Sequence, residues 1–487
     1  MRHTLRFAPL WLSVALGACA GDATTQPETV DAPVVAPTVD PVAVVSPNTA
    51  QAAMVGVPFS YDATKAGTAF SDPRKSGLSY TVTFAPAVSG LAVSNGRIIG
   101  TAATPGVHTV TIAARDATGS SAMHSFALVI FAGDLTVPVL PATALAYADA
   151  SLPLPRHLSQ APPNAPSPLA ADNTPASNVT TNAGATLGRV LFYDRRLSAN
   201  DRLSCSSCHQ QQFAFSDTAR LSRGFAGGLT GRHSMGLANA RFYAGGRFFW
   251  DERAASLEAQ VLQPIEDATE MGMTLPDAVT KLKATTYYAA LFTAAFGSPE
   301  ITSDRVALAL AQFVRSLVSV NAKFDRAFGA NGVPNFAATF TAQELAGQDL
   351  FNGRAGCARC HGTNAHISDA VHNTGLDATM TDVGAGNGRF KAPSLRNIAV
   401  RPPYMHDGRF QTLEQVVAFY DSGVQNNPGL DPRLRGAPGG PGGPQGNGGP
   451  QRLNLSAAER GALVAFLGTL TDNTFLTDVR FSNPFGR

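Results

Sequence analysis

Two kinds of apolar spacing divide this chain. Between residues 48 and 132 the period is two. Leu78, Tyr80, Val82 and Phe84 alternate with Ser79, Thr81 and Thr83, and the pattern returns at Val110, Ile112 and Ala114 and again at Phe126, Leu128 and Ile130. Asn95-Gly96 between short β-rich runs is a two-residue hairpin signal. This predicts a small all-β sandwich. Beyond about residue 183 the spacing turns helical. Leu187, Val190 and Leu191 form one stripe, and Val306, Leu308, Leu310, Phe313, Leu317 and Val320 predict a long helix over Ile301–Phe328. Three further helices open with capping boxes: Thr341 to Glu344, Thr412 to Gln415, and Ser456 to Glu459, the last running to about Leu470. Residues 19–47 and 133–182 lack either period and are rich in Pro, Ala, Thr or Ser, which predicts a tether and a linker. Gly436 to Pro450 is almost all Gly and Pro and predicts a surface loop.

The cysteines give the helical half its chemistry. There are five in 487 residues. Four lie in Cys205-Ser-Ser-Cys208-His209 and Cys357-Ala-Arg-Cys360-His361, each the attachment signature of a c-type haem. Two thiols two residues apart can form thioethers to the two vinyl groups of one porphyrin, and the following histidine can bind its iron. A redox dithiol or a shared zinc site would use the cysteines but leave the histidines surplus. The chain is therefore expected to carry two haems c, with an all-α tandem of two haem domains over 183–335 and 336–487. No internal repeat stands out beyond these two modules.

The fifth cysteine ends an export-like leader. Arg2 and Arg6 precede a short apolar run from Phe7 to Leu16, too short to span a bilayer. Leu16-Gly-Ala-Cys19 resembles the lipobox of bacterial lipoproteins, which implies cleavage after residue 18 and lipidation of Cys19. Ala20 rather than Asp follows, which implies sorting to the outer membrane, facing the periplasm. Formal charge is +2; without the two leader arginines, 37 − 2 = 35 basic residues balance 35 acidic ones. No basic block suggests nucleic acid as a partner.

The sandwich resembles bacterial cadherin/immunoglobulin-like modules, through Val57-Pro-Phe59, Gly90-Leu91, Arg97-Ile-Ile-Gly-Thr101 and Ala114-Arg-Asp116. It has no cluster of catalytic residue types. Asp62, Asp72 and Asp116 could bind calcium, though scattered surface carboxylates are the plainer reading, and a spacer or docking role is expected.

From about Ala183 to Asp472 the chain resembles the di-haem bacterial cytochrome c peroxidase and MauG family. The matching pieces are LGRVLFYDRRLS, both haem signatures, FFWDERA, LEAQVLQPIEDATEM, FKAPSLRNIAVRPPYMHDGRF and TLEQVVAFY. The resemblance implies two cytochrome-c-like domains sharing an interface. His209 would be the proximal ligand of an N-terminal haem that reacts with hydrogen peroxide. Glu270 would be the acid on its distal side, since heterolysis of peroxide needs a proton moved from the inner to the outer oxygen. Gln260 and Pro264 match positions lining that pocket. Trp250 matches a tryptophan between the haems that can relay an electron; packing alone is the plain alternative. Alone, Glu270 would read as a solvated loop acid.

His361 would be proximal to the second haem. Its other axial ligand is implied to be Tyr420, where electron-donating relatives have Met; Leu413, Val416 and Tyr420 share one helical stripe. Met405 or His406 is the alternative. A phenolate lowers the haem potential where a thioether raises it. The histidine that closes the peroxidatic haem in other members falls on Phe225, which cannot bind iron. Family calcium would be held by the backbone carbonyls of Arg401 and Pro403, but the Asn position is His233, a poor ligand for a hard cation.

The expectation is a lipid-anchored, periplasm-facing di-haem peroxidase. It would oxidise a partner protein, as the MauG-like positions suggest, or draw electrons from a small cytochrome or cupredoxin. Two other readings stand beside it: a non-enzymatic di-haem electron carrier at the outer membrane, and a surface-binding sandwich with the haems as a sensor.

Overall fold

The structure is a computed structural model. It describes residues 41–48, 51–55, 58–75, 77–131, 137–141, 143–160, 166–367, 370–436 and 448–485. The leader, Cys19, most of the tether and the centre of the Gly/Pro loop lie outside the described residues. No helix among those described is long and apolar enough to cross a membrane.

Among the described residues nine strands build the N-terminal sandwich: β1 (Ala43–Val44), β2 (Gln51–Met54), β3 (Pro58–Asp62), β4 (Phe70–Ser71), β5 (Leu78–Ala85), β6 (Leu91–Ser94), β7 (Arg97–Thr101), β8 (Gly106–Asp116) and β9 (Ser121–Phe131). One sheet runs β2-β9-β8-β5 and the other β3-β7-β6, with β1 paired to β4. The alternation sets the faces: Val82, Val110, Ile112, Ala114, Leu128 and Ile130 are buried in one core with Ile98 and Phe70, while Ser79, Thr81 and Thr83 are exposed. Asn95 and Gly96 form the β6–β7 turn with φ of 47° and 75°, the left-handed pair that such a hairpin needs. The first strand, Ala43–Val44, lies in the stretch that reads as tether. Asp116 closes a turn, accepting from the amides of Thr118 and Ser120 at 2.9 Å each. Asp62 accepts from Thr64 N at 3.0 Å. These carboxylates are occupied by their own loops, and no group of three or more His, Cys, Asp or Glu able to hold a metal occurs among the described residues.

The helical half repeats one device. The helix Asn182–Tyr193 packs on Ser303–Ser316, and the helix Ala342–Asn352 packs on Ala457–Gly468. At each crossing a glycine admits the partner backbone: a Cβ on Gly188 would strike Ala309 O, and one on Gly347 would strike Ala462 O. All three predicted capping boxes form.

The helix predicted over Ile301–Phe328 is shorter. It spans Ser303–Ser316, and a second short helix follows at Lys323–Arg326. The break has a tertiary cause. Asp472 Oδ2 accepts from Ser319 Oγ, Val320 N and Asn321 N at 3.1, 3.0 and 2.8 Å. Asn239 Oδ1 takes Ser319 N at 2.9 Å. Side chains from distant segments thus satisfy amides that a helix would have bonded internally.

The stretch read as linker is also more structured than its composition suggests. Tyr147 is buried and donates to Arg480 O at 2.6 Å, and Asn178 donates to Glu258 Oε1 at 2.7 Å. His157, 6% exposed, lies 2.7 Å from Asp325 Oδ1. Specific hydrogen bonds replace the hydrophobic period as the fastening.

Candidate active site: two cavities sharing a wall

Each Cys-x-x-Cys-His run winds into a single helical turn, Cys205–Cys208 and Ala358–His361, so that both thiols and the imidazole face one way. Cys205, Cys208 and His209 line a cavity of about 470 Å³. Cys357, Cys360 and His361 line another of about 210 Å³. The imidazoles are oriented from behind: Nδ1 of His209 lies 2.8 Å from Phe215 O, and Nδ1 of His361 lies 3.2 Å from His366 O. Consecutive left-handed residues, Ala214 (φ 54°) and Phe215 (φ 60°), turn the first carbonyl toward its ring. With Nδ1–H donating, Nε2 keeps the lone pair. Burial favours the neutral ring in both, lowering His209 and taking His361 down to about 4. Phe192 lines the first cavity and Phe351 the second. They belong to a repeat, Gly188-x-x-Leu191-Phe192 and Gly347-x-x-Leu350-Phe351, that extends the resemblance between the modules upstream of the cysteines.

The helix Leu257–Glu266 presents Leu257, Gln260, Val261 and Pro264 to the first cavity, the i, i+3, i+4, i+7 face. Glu270 reaches the same cavity from the loop that follows. That loop is fixed on several sides. Asp267 Oδ1 accepts from the amides of Thr269 and Glu270 at 2.7 and 3.1 Å, and Glu270 O accepts from Phe225 N at 2.9 Å. The Glu270 carboxyl itself has no hydrogen bond or ion pair among the described residues. Burial raises its pKa, nearby Asp267 adds to the rise, and Arg253 opposes it. Phe225 does not line the cavity; its ring lies where a Cβ on Gly272 would be.

Trp250 lines both cavities. It sits in a closed loop pinned by paired Phe248 and Ala254, with left-handed Phe249 (φ 69°) and Glu252 (φ 55°). Its indole N–H donates to His233 O at 2.7 Å, and its carbonyl accepts from Lys391 N at 2.8 Å. The second module has the same loop. Tyr404 pairs with Phe410, Met405 (φ 73°) and Gly408 (φ 64°) are left-handed, and His406 stands where Trp250 stands. In both, the Asp after the tip residue salt-bridges the Arg two positions on, Asp251–Arg253 at 2.9 Å and Asp407–Arg409 at 2.7 Å. The two tip rings meet edge to face at 6.4 Å.

Tyr420, Met405 and His406 all line the second cavity, together with Leu413 and Val416. The predicted stripe therefore faces it. The helix Leu413–Ala418 passes into a π-turn at Phe419–Gly423, a local widening common at functional positions. His406 stacks on Phe390, centroids 3.6 Å apart. The Tyr420 hydroxyl has no hydrogen-bond partner among the described residues. Burial, with the Cys360 and Cys357 thiols adding to it, pushes its pKa well above the usual phenol range. Such a phenol ionises only against a strong local cation.

The chain's relatives fit this geometry. A family profile described as di-haem cytochrome c peroxidase matches residues 182–332, and one described as a putative Ig domain matches residues 41–131. Methylamine utilization protein MauG of Methylorubrum extorquens is 35% identical over 367 residues, 71% of this chain and 93% of that protein. The chain belongs to the di-haem cytochrome c peroxidase and MauG family. Cytochrome c551 peroxidase of Nitrosomonas europaea is 34% identical over 249 residues, 48% of this chain and 71% of that one. A solved MauG-like protein associated with microbial copper homeostasis superposes with a TM-score of 0.55 at 32% identity, covering 67% of this chain and 98% of that one. This family member is thus an oxidoreductase, a di-haem peroxidase with an Ig-like domain ahead of its helical haem domains.

Its donor sets suit haem c. Each cavity brings together two thiols and the imidazole that follows them in the chain, held neutral by burial, in a largely apolar wall. The set expected for calcium fits poorly. His233 has Nδ1 3.1 Å from Ala219 O and Nε2 3.3 Å from Ser216 Oγ. The neighbouring Arg401 guanidinium, 6% exposed, already carries positive charge there and donates to Ser394 O at 2.5 Å.

Proposed function

We propose that the chain is a MauG-like peroxidase whose first cavity handles hydrogen peroxide and whose second holds a His/Tyr-ligated haem. The observation that carries this is Glu270, a half-buried carboxyl without a partner among the described residues, which faces the cavity of Cys205, Cys208 and His209. When bound, the haems supply iron that takes oxidising equivalents from peroxide. The protein's part is to hold and direct. Cys205, Cys208 and His209 would hold one haem, and Cys357, Cys360, His361 and Tyr420 the other. Glu270 Oε takes a proton from one peroxide oxygen and returns it to the other. The Gln260 amide, on the same wall, orients the substrate.

Trp250 is the proposed electron relay between the cavities. Its N–H donates to a backbone carbonyl, which is too weak a base to take the proton. The indole therefore passes an electron while keeping its hydrogen. Tyr420 and Phe225, which does not line the first cavity, favour oxidation of a partner protein over turnover with a small cytochrome or cupredoxin. Export to the periplasm with a lipid on Cys19 remains part of the proposal, on the strength of the leader alone. Calcium receives no role.

Tyr420→Met tests the second site. It replaces an anionic oxygen donor by a thioether, so the midpoint potential of the C-terminal haem should rise, read by spectropotentiometry. An unchanged potential would show that Tyr420 does not hold that haem.

A further inference from the structure

We infer that Lys391 is the counter-cation for a haem propionate at the wall shared by the two cavities. Lys391 is 4% exposed and lines both. Its ammonium lies 3.8 Å from the centroid of the Tyr243 ring and 4.2 Å from that of Phe248, and it donates one hydrogen bond, to Arg247 O at 3.1 Å. Among the described residues, no carboxylate lies within ion-pair distance of it. The acid that acts on it through space, Glu252, accepts instead from the Tyr243 hydroxyl.

The other cations on the first cavity are neutralised. Arg232 pairs with Asp251 at 2.6 Å and with Asp382 at 2.8 Å, and Arg253 pairs with Asp251 at 2.9 Å. Among the described residues lining the two cavities, the Lys and Arg side chains without an acid partner are Lys391 and Arg401, and only Lys391 faces both. An unpaired buried ammonium is costly, and burial pulls its pKa down to about 7. A haem brings two propionates, which are equally costly to bury alone. One carboxylate set against Lys391 resolves both deficits and would restore the ammonium.

The test uses holoprotein with Lys391→Met and Lys391→Arg. In resonance Raman spectra of the ferric protein, the propionate bending band should shift in K391M and stay near its wild-type frequency in K391R. The midpoint potential of the affected haem should fall in K391M, because removing a cation disfavours adding an electron. A propionate band at the wild-type frequency in K391M overturns the assignment. Should K391M fail to carry haem, K391Q replaces it, and identical bands in K391Q and K391R contradict the proposal equally.

Discussion

Replacing Glu270 by Gln should lower kcat/KM for hydrogen peroxide by about 10²- to 10⁴-fold, the usual contribution of a positioned acid/base. Haem content should not change. Glutamine keeps the size and polarity of the side chain but cannot carry a proton between the peroxide oxygens. The loop should survive because it is anchored through backbone groups, by Asp267 and by Phe225 N, rather than through the carboxyl. The pH profile gives a second signature. Burial, then Asp267, raises the Glu270 pKa against the opposing Arg253. The carboxylate is the form that accepts the proton, so activity should fall on acidification through a pKa above the ~4.3 of a free Glu. That limb should vanish in the variant, as steady-state rates across pH would show.

The second large effect concerns stability. Asp325, 5% exposed, accepts from Arg396 at 2.6 and 2.8 Å and from Ala322 N at 2.8 Å, and lies 2.7 Å from His157 Nε2. It therefore ties the segment before the first haem helix to the second module. Asp325→Ala leaves the fully buried Arg396 unpaired and should cost about 3 to 5 kcal/mol, measured by chemical denaturation. Burial alone would raise the carboxyl pKa, but Arg396 and His157 outweigh it and hold it at about 2. The group is lowered on folding, so its stabilisation is present above the unfolded pKa near ~3.9 and is lost as pH falls towards about 2. The variant should lose that part of the acid dependence. An unchanged denaturation midpoint would show that the network is dispensable.

What the sequence discloses follows the range of the interactions. The haem signatures are legible because their chemistry is local, and the sandwich because alternation fixes its faces. Tyr420 is legible because Leu413 and Val416 set a helical stripe that the structure turns to the second cavity. The end of the helix at Ser316 is not legible, since it depends on Asp472, far along the chain. The fastening of Tyr147, His157 and Asn178 is hidden for the same reason: single polar contacts leave no period. Other signals are written in the chain but weak alone. The Gly-x-x-Leu-Phe pair and the paired Trp250 and His406 loops become meaningful only when their shared geometry is seen. Lys391 lies within the FKAPSLRN piece, but its burial is not legible there, because a lysine is expected at the surface.

The proposed function requires the first cavity to offer peroxide an open iron beside Glu270. The most direct measurement is titration of ferric holoprotein with hydrogen peroxide, followed by optical and EPR spectroscopy. A high-spin ferric signal should be present before peroxide is added and should be lost rapidly and stoichiometrically as it is added. Two low-spin haems, each saturated by protein ligands in every oxidation state and indifferent to peroxide, would contradict it.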